Sequence, residues 1–103
     1  MNHELFIHRL RGAGVTTINQ AAALIAMHRE GAPIGMTALS VAAGTSGAGA
    51  TVMSDAFEKL GLAKRANNPR DRRSWTLGLT PGGHGLFEDP PGTHQPVYDY
   101  KPI

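Results

Sequence analysis

Residues 61 to 80, GLAKRANNPRDRRSWTLGLT, are the stretch of this sequence that most constrains the fold. Two runs with strand character, 62 to 65 and 73 to 79, flank Asn67-Asn68-Pro69. Asn tolerates left-handed backbone and Pro presets a turn dihedral, so this tripeptide suits the tip of a hairpin. The stretch therefore predicts a β-hairpin.

The predicted hairpin also gathers the positive charge of the chain. Residues 62 to 76 contain one acid, Asp71, and five cationic side chains: Lys64, Arg65, Arg70, Arg72 and Arg73. The segment carries +4, whereas the whole chain carries only +2. Clustered positive charge is typical of a protein that binds a polyanion, although any solvated hairpin can also be rich in Lys and Arg.

Length and composition bound the remaining possibilities. A chain of 103 residues forms one domain with a single core. The sequence has no cysteine, which excludes disulfides, thiolate metal sites and a cysteine nucleophile. No apolar run is long enough for a signal or membrane segment. We expect a cytoplasmic protein without membrane contact.

The first third of the chain predicts two helices. Residues 3 to 11 predict a short helix that stops at the glycine-rich residues 12 to 14. Thr16 or Thr17 can cap a second helix, which runs to about Glu30 and ends at Gly31. Its apolar stripe is expected to contain Ile18, Ala21, Ala22, Ile25 and His28.

Residues 37 to 60 predict a helix-turn-helix. Thr37 is expected to cap a third helix, after a break that leaves room for a short extended piece. Gly44 supplies a permissive turn, and Ser46 can cap a fourth helix from about Gly47 to Leu60. The third helix is expected to point Met36, Leu39 and Ala43 inward, and the fourth Ala50, Met53, Phe57 and Leu60. The fourth helix then presents Ala48, Thr51, Val52 and Asp55.

A helix-turn-helix followed at once by a basic hairpin is a winged helix-turn-helix, which is a mainly α fold with a small β-hairpin wing. We expect this domain to occupy residues 1 to 88. After the wing, residues 83 to 88 have room for only a turn or two of helix. The tail, residues 89 to 103, holds four prolines and predicts extended chain.

The sequence resembles the MarR-type winged-helix transcriptional regulators over residues 21 to 83. The wing NPRDRRSWTLGLTPGG is similar to the family pattern, and so are MTALSVAAGTS and FEKLGL upstream. On this resemblance Asp71 matches the family's wing aspartate, and Arg73 matches the wing arginine that enters or borders the minor groove. The matches in the returning strand are Leu77, Leu79 and Thr80.

The resemblance implies a transcriptional regulator that binds double-stranded DNA as a homodimer. The helix that begins at Ser46 would lie in the major groove and supply Ser46, Ala48, Thr51 and Val52. Arg70, Arg72 and Arg73 would engage phosphate and the minor groove, with Lys64 and Arg65 adding phosphate contacts along the stem. Asp71 would pair with a neighbouring arginine and hold the wing tip. The family dimerises through long terminal helices, whereas those predicted here are short.

The fourth helix departs from what direct base reading needs. Its first turns, GAGATVMS, contain no Lys or Arg, so recognition by this helix is expected to be weak or biased towards thymine. Gly47 and Gly49 suggest close approach of the backbone to a phosphate or to a neighbouring helix. The alternative function is a protein interaction module that uses the apolar presented face.

The sequence offers no catalytic or metal-binding pattern. His3 and His8 are five residues apart, which does not place both on one helix face, and no carboxylate pair or phosphate-binding loop accompanies them. We therefore expect no enzymatic activity, no metal and no cofactor. The operator sequence, any small-molecule effector and the sense of regulation do not follow from the residues.

Overall fold

The computed structural model describes residues 2 to 88, apart from the side chain of Arg72. The predicted tail, residues 89 to 103, therefore lies outside the described residues. The elements are α1 (His3–Gly12), α2 (Ile18–Glu30), β1 (Ile34–Gly35), α3 (Met36–Ala43), α4 (Gly47–Leu60), β2 (Ala63–Asn68), β3 (Asp71–Leu79), α5 (Pro81–His84) and a 3-10 turn (Gly85–Phe87). The three strands form one antiparallel sheet in the order β1-β3-β2. The prediction of a mainly α fold with a small β wing is confirmed.

Helix α2 begins and ends where its sequence predicts. Thr17 is the N-cap, and its hydroxyl oxygen accepts a hydrogen bond from the backbone N–H of Gln20 at 3.1 Å. The Gln20 side chain accepts in return from the backbone N–H of Thr17 at 3.2 Å, which completes a capping box. Gly31 ends the helix with left-handed backbone, φ 70°.

The predicted apolar stripe of α2 is correct only in part, because Ala21 and Ile25 pack against the core but Ile18 and His28 do not. Its buried side chains are Ala23, Leu24 and Met27, whereas Ile18 is 86% exposed and His28 is exposed. Ala21, Ala22 and Ile25 are half-buried. Residues 21 to 27 are all apolar, so spacing alone does not select a face. Packing against α3 places the longer Leu24 and Met27 in the core instead.

Helix α3 begins at Met36, two residues earlier than a cap at Thr37 implies, so Thr37 is not its cap. The N-cap is Gly35, which has no side chain to bond a free backbone N–H. Gly35 is also the last residue of β1, where it pairs with Thr76, so the sheet leads directly into the helix. Leu39 and Ala43 are buried as predicted, and Met36 is half-buried.

Helix α4 has the predicted cap and most of the predicted core face. The hydroxyl oxygen of Ser46 accepts a hydrogen bond from the backbone N–H of Gly49 at 3.1 Å. Ala50 and Phe57 are fully buried and Met53 packs against the core, but Leu60 is 40% exposed. Leu60 lies at the end of the helix, where its side chain covers the backbone of Gly14 instead of entering the core.

The wing is longer than predicted, and its turn lies further along the chain. Asn68 pairs with Asp71 across the turn, and a bulge separates Asn67 from Asn68. The side-chain oxygen of Asn68 accepts from the backbone N–H of Arg70 at 2.9 Å, which is the local bonding that makes Asn a turn residue. At the base, the hydroxyl of Thr80 donates to the carbonyl of Gly61 at 2.6 Å and closes the hairpin.

The two ends of the described chain meet beside α1. The guanidinium of Arg9 donates to the carbonyls of Gly85, Leu86 and Glu88. Phe6 of α1 lies against Phe87, with ring centroids 5.0 Å apart. The ring of His28 stacks on the Phe87 ring, with centroids 4.0 Å apart. This stacking holds the His28 side chain outside the core. The final turns of the described chain are therefore held by both α1 and α2.

Candidate nucleic-acid interface

The predicted presented face of α4 is exposed in the structure. Ala48 and Val52 are exposed, the latter by 67%, and Thr51 is half-buried. Ser46 is exposed at the start of the helix, and Asp55 extends the face by one more turn. The positions 48, 51, 52 and 55 share one side because three- and four-residue spacings return to the same face of a helix.

The hydroxyl groups of α4 are already used within the helix. Thr51 donates to the carbonyl of Gly47 at 3.2 Å, and Ser54 donates to the carbonyl of Ala50 at 2.8 Å. Ser54 is fully buried, so it does not belong to the surface. Ser46 is exposed, and its hydroxyl oxygen accepts a hydrogen bond from the backbone N–H of Gly49. Among the described residues this hydroxyl has no acceptor for its own proton.

The two glycines at the start of α4 have different surroundings. A Cβ on Gly49 would collide with the side chain of Thr45 in the preceding turn. Gly49 is therefore explained by close packing within the helix-turn-helix itself. A Cβ on Gly47 would meet nothing within 4 Å, so Gly47 leaves an open space at the helix N-terminus.

Helix α3 adds an exposed apolar residue that the sequence analysis did not single out. Val41 is 76% exposed. Its position, two residues from both Leu39 and Ala43, lies outside the buried stripe that those residues define. The helical spacing of the sequence already contained this signal.

The wing exposes its cationic tip. The Arg73 side chain is 95% exposed, and Arg70 and Lys64 are exposed as well. Asp71 lies beside Arg73 as expected: its Oδ1 accepts from the Arg73 backbone N–H at 3.0 Å and lies 3.8 Å from the Arg73 Nε. This bonding orders the start of β3, where Arg72 is also placed. The structure thus brings the predicted wing residues together on one hairpin.

Arg65 is engaged differently from the other wing cations. Its Nη2 lies 2.7 Å from Oε1 of Glu58 and 2.5 Å from Oδ1 of Asp55, both in α4. Its guanidinium carbon also lies 5.6 Å from the ring centroid of Trp75. The phosphate contact expected of Arg65 stays a prediction, and in the structure this side chain joins the stem of the wing to α4 through two carboxylates.

The two partners in this ion pair shift each other's titration. The hydrogen bonds from the Arg65 side chain and backbone lower the pKa of Glu58 from its ordinary value of 4.5. The hydrogen bonds to Glu58 and then to Asp55 raise the pKa of Arg65. Charge counting along the sequence does not predict this cluster. Its signal is an acid in the last turn of a helix, followed seven residues later by Arg in the next strand.

Within residues 2 to 88, no group of three or more His, Asp or Glu side chains is arranged to hold a metal ion. No helix in the same range is long and apolar enough to cross a membrane.

Comparison with known proteins gives a consistent answer at the level of structure. No family profile and no curated protein matches the sequence. The transcriptional regulator Tm0710 of Thermotoga maritima is 31% identical, with a TM-score of 0.67 over 76% of this chain and 54% of that chain. MarR is 26% identical, with a TM-score of 0.66 over 82% of this chain and 61% of that chain. The MepR-DNA complex of S. aureus is 19% identical, with a TM-score of 0.70 over 82% of this chain and 68% of that chain.

The chain therefore has the fold of the MarR-type winged helix-turn-helix transcriptional regulators. It covers between 54% and 68% of the length of these three solved chains. The resemblance stated from the wing and the helix-turn-helix is confirmed at the level of fold. Tm0710 is described as a transcriptional regulator, which is the class of protein that the sequence predicts.

Proposed function

We propose that the protein is a transcriptional regulator that binds double-stranded DNA. The face of α4 that begins at Ser46 enters the major groove, and the wing approaches phosphate and the minor groove. The contacting residues in this proposal are Ser46, Ala48, Thr51, Val52, Lys64, Arg70, Arg72 and Arg73. The observation that carries it is an exposed cationic wing on the fold of known regulators, one of which was solved with DNA.

Arg65 has an indirect role in this proposal. It holds Asp55 and Glu58, the two acids on the side of α4 next to the wing, in ion pairs. Two unpaired carboxylates at this position would repel the phosphate backbone. Pairing with Arg65 lowers the repulsion between these carboxylates and the phosphates, so this cation supports DNA binding through the acids that it neutralises.

We further propose that the protein binds DNA as a homodimer. Ile7 and Ile18 are 46% and 86% exposed, and they line a groove of about 480 Å³ between α1 and the start of α2. Exposed large apolar side chains beside a groove are typical of a surface that meets another protein. Light scattering after size exclusion tests the dimer, and a monomeric mass at the concentrations used for DNA binding would contradict it.

A protein interaction module is the second candidate function. The support for it is the apolar surface of the helix-turn-helix, where Val41 and Val52 are both exposed. In this alternative α4 contacts another protein, and the basic wing only keeps the surface soluble.

Fluorescence anisotropy with a labelled random-sequence duplex separates these two functions. The titration is carried out at about 50 and about 200 mM salt. A DNA-binding protein is expected to lose affinity with a log-log slope of roughly −0.9 for each neutralised phosphate. If no binding is seen at either salt concentration, the DNA-binding proposal is rejected in favour of the interaction module.

A further inference from the structure

The first two turns of the presented face of α4 expose mainly methyl groups. Ala48 and Val52 are exposed, and Thr51 lies between them on the same face. Because the Thr51 hydroxyl donates to the carbonyl of Gly47, its proton is not offered to a base. The side chain therefore contributes its methyl group and a hydroxyl oxygen that can only accept.

Ala48, Thr51 and Val52 cannot make the paired hydrogen bonds by which proteins usually recognise guanine and adenine. Guanine is typically read by the paired donors of Arg or Lys, and adenine by the amide of Asn or Gln. None of these residue types occurs in the segment from Gly47 to Ser54. The group in the major groove that matches a methyl surface is the C5-methyl of thymine.

The surroundings of this face favour DNA over a protein as its occupant. The wing that follows α4 carries the exposed cations Lys64, Arg70 and Arg73, which complement a phosphate backbone. The nearest acid on the face, Asp55, is paired with Arg65. Three small side chains also offer far less apolar area than the roughly 800 Å² that each partner buries in a typical stable protein complex.

We infer that α4 recognises thymine through its C5-methyl group, with Val52 as the main contact and Ala48 and Thr51 beside it. This inference rests on the proposed DNA-binding function and names the base feature that the same surface selects. Burial of one methyl group is worth about 0.8 kcal/mol, which corresponds to about a 4-fold change in affinity.

Replacing thymine by deoxyuridine tests the inference directly, because the exchange removes the C5-methyl and leaves the hydrogen-bonding groups in place. The probes are two labelled duplexes of alternating sequence, one built from dA and dT and the other from dA and dU. The wild-type protein is expected to bind the uracil duplex about 4-fold more weakly for each methyl contacted. Val52→Ala is expected to lose affinity for the thymine duplex only, so that the ratio between the duplexes falls.

Two further variants control this measurement. Val52→Thr keeps the size of the side chain but replaces one methyl by a hydroxyl, and it should give an intermediate ratio. Val41→Ala makes the same change as Val52→Ala at an exposed valine of α3 that is not among the proposed DNA contacts, and it should leave the ratio unchanged. Val52 is itself 67% exposed, so its variants are expected to fold, which circular dichroism verifies.

The outcomes distinguish this inference from the function on which it rests. Binding to neither duplex contradicts the DNA-binding proposal itself. Equal binding of the wild type to both duplexes leaves that proposal standing and overturns methyl recognition. A ratio that persists unchanged in Val52→Ala also overturns it, because the methyl effect would then come from DNA shape. An affinity unaffected by Val52→Ala on both duplexes has the same consequence and favours a protein partner for this face.

Discussion

Arg65 and Glu58 are joined through both backbone and side chain. The backbone N–H of Arg65 donates to Glu58 Oε2 at 2.9 Å, and its guanidinium donates to Oε1 at 2.7 Å and 3.2 Å. Glu58 lies in the last turn of α4, and Arg65 is the third residue of β2. The angle between the proposed reading helix and the wing is thus set by hydrogen bonds of defined direction.

Glu58→Gln is expected to lower the free energy of unfolding at neutral pH. It is also expected to make this free energy less dependent on pH in the acidic range. The pKa of Glu58 is lowered in the folded protein from 4.5, so the unfolded chain binds its proton more tightly. The stabilisation is therefore present above about pH 4.5 and is lost as the pH falls through the folded-state value. Thermal melts at neutral and acidic pH measure this: the difference between wild type and variant should shrink as the pH falls. Glu30→Gln, at the exposed end of α2, is the control. An equal difference at both pH values would contradict the prediction.

Arg73→Ala is expected to weaken binding to all duplexes and to reduce the salt slope by about one phosphate contact. The reason is that the Arg73 side chain is 95% exposed at the wing tip, where it can reach the phosphate backbone of DNA. Anisotropy titrations over a range of salt concentrations measure the slope. Arg29→Ala removes an exposed cation from the end of α2 and should preserve it. A slope that is the same in wild type and Arg73→Ala would rule out the wing contact.

Ser46→Ala is expected to cost about 1 kcal/mol of unfolding free energy, because the N-cap hydroxyl satisfies a backbone N–H at the start of α4. Thr37→Ala is the matched control. The N-cap of α3 is Gly35 and not Thr37, so this second change should have a much smaller effect. Urea denaturation of both variants gives the two values. Similar losses in the two proteins would mean that Thr37 does act as a cap.

Gly83→Ala is expected to destabilise the fold by roughly 1–3 kcal/mol, the usual cost of overpacking. A Cβ at this position would collide with the carbonyl oxygen of Leu62, which is backbone and has little freedom to move. Gly85→Ala provides the comparison, since a Cβ there meets nothing within 4 Å and its φ is −59°. That variant should be neutral or slightly more stable. Chemical denaturation that ranks the two variants in the opposite order would show that α5 does not dock as described.

Local signals in the sequence predicted most of the fold. Thr17, Gly31 and Ser46 cap their helices as expected, because capping depends on residues only three or four positions away. The start of α3 and the buried face of α2 depend on packing with other parts of the chain. The cap of α3 was misplaced since Gly35 pairs with Thr76, forty-one residues further on, which a local pattern does not contain.

In the candidate site, too, local sequence predicts some features, whereas others depend on packing between elements. Exposure of Val52 and the pairing of Asp71 with Arg73 follow from helical spacing and from neighbours two residues apart. The engagement of Arg65 did not follow, because charge counting treats all cations of the hairpin alike. Its partners become evident only when α4 and β2 are packed together.

The bonds from Arg9 to the end of the described chain bear on how the protein is made. Helix α1 is synthesised before the other described elements, yet its partners Gly85, Leu86 and Phe87 are among the last of the described residues. A ten-residue helix is marginal in water on its own. During translation Phe6 of α1 therefore stays unburied until Phe87 has been synthesised and packs beside it. Among the described elements, α1 is therefore the first to be synthesised and the last to gain its packing partners.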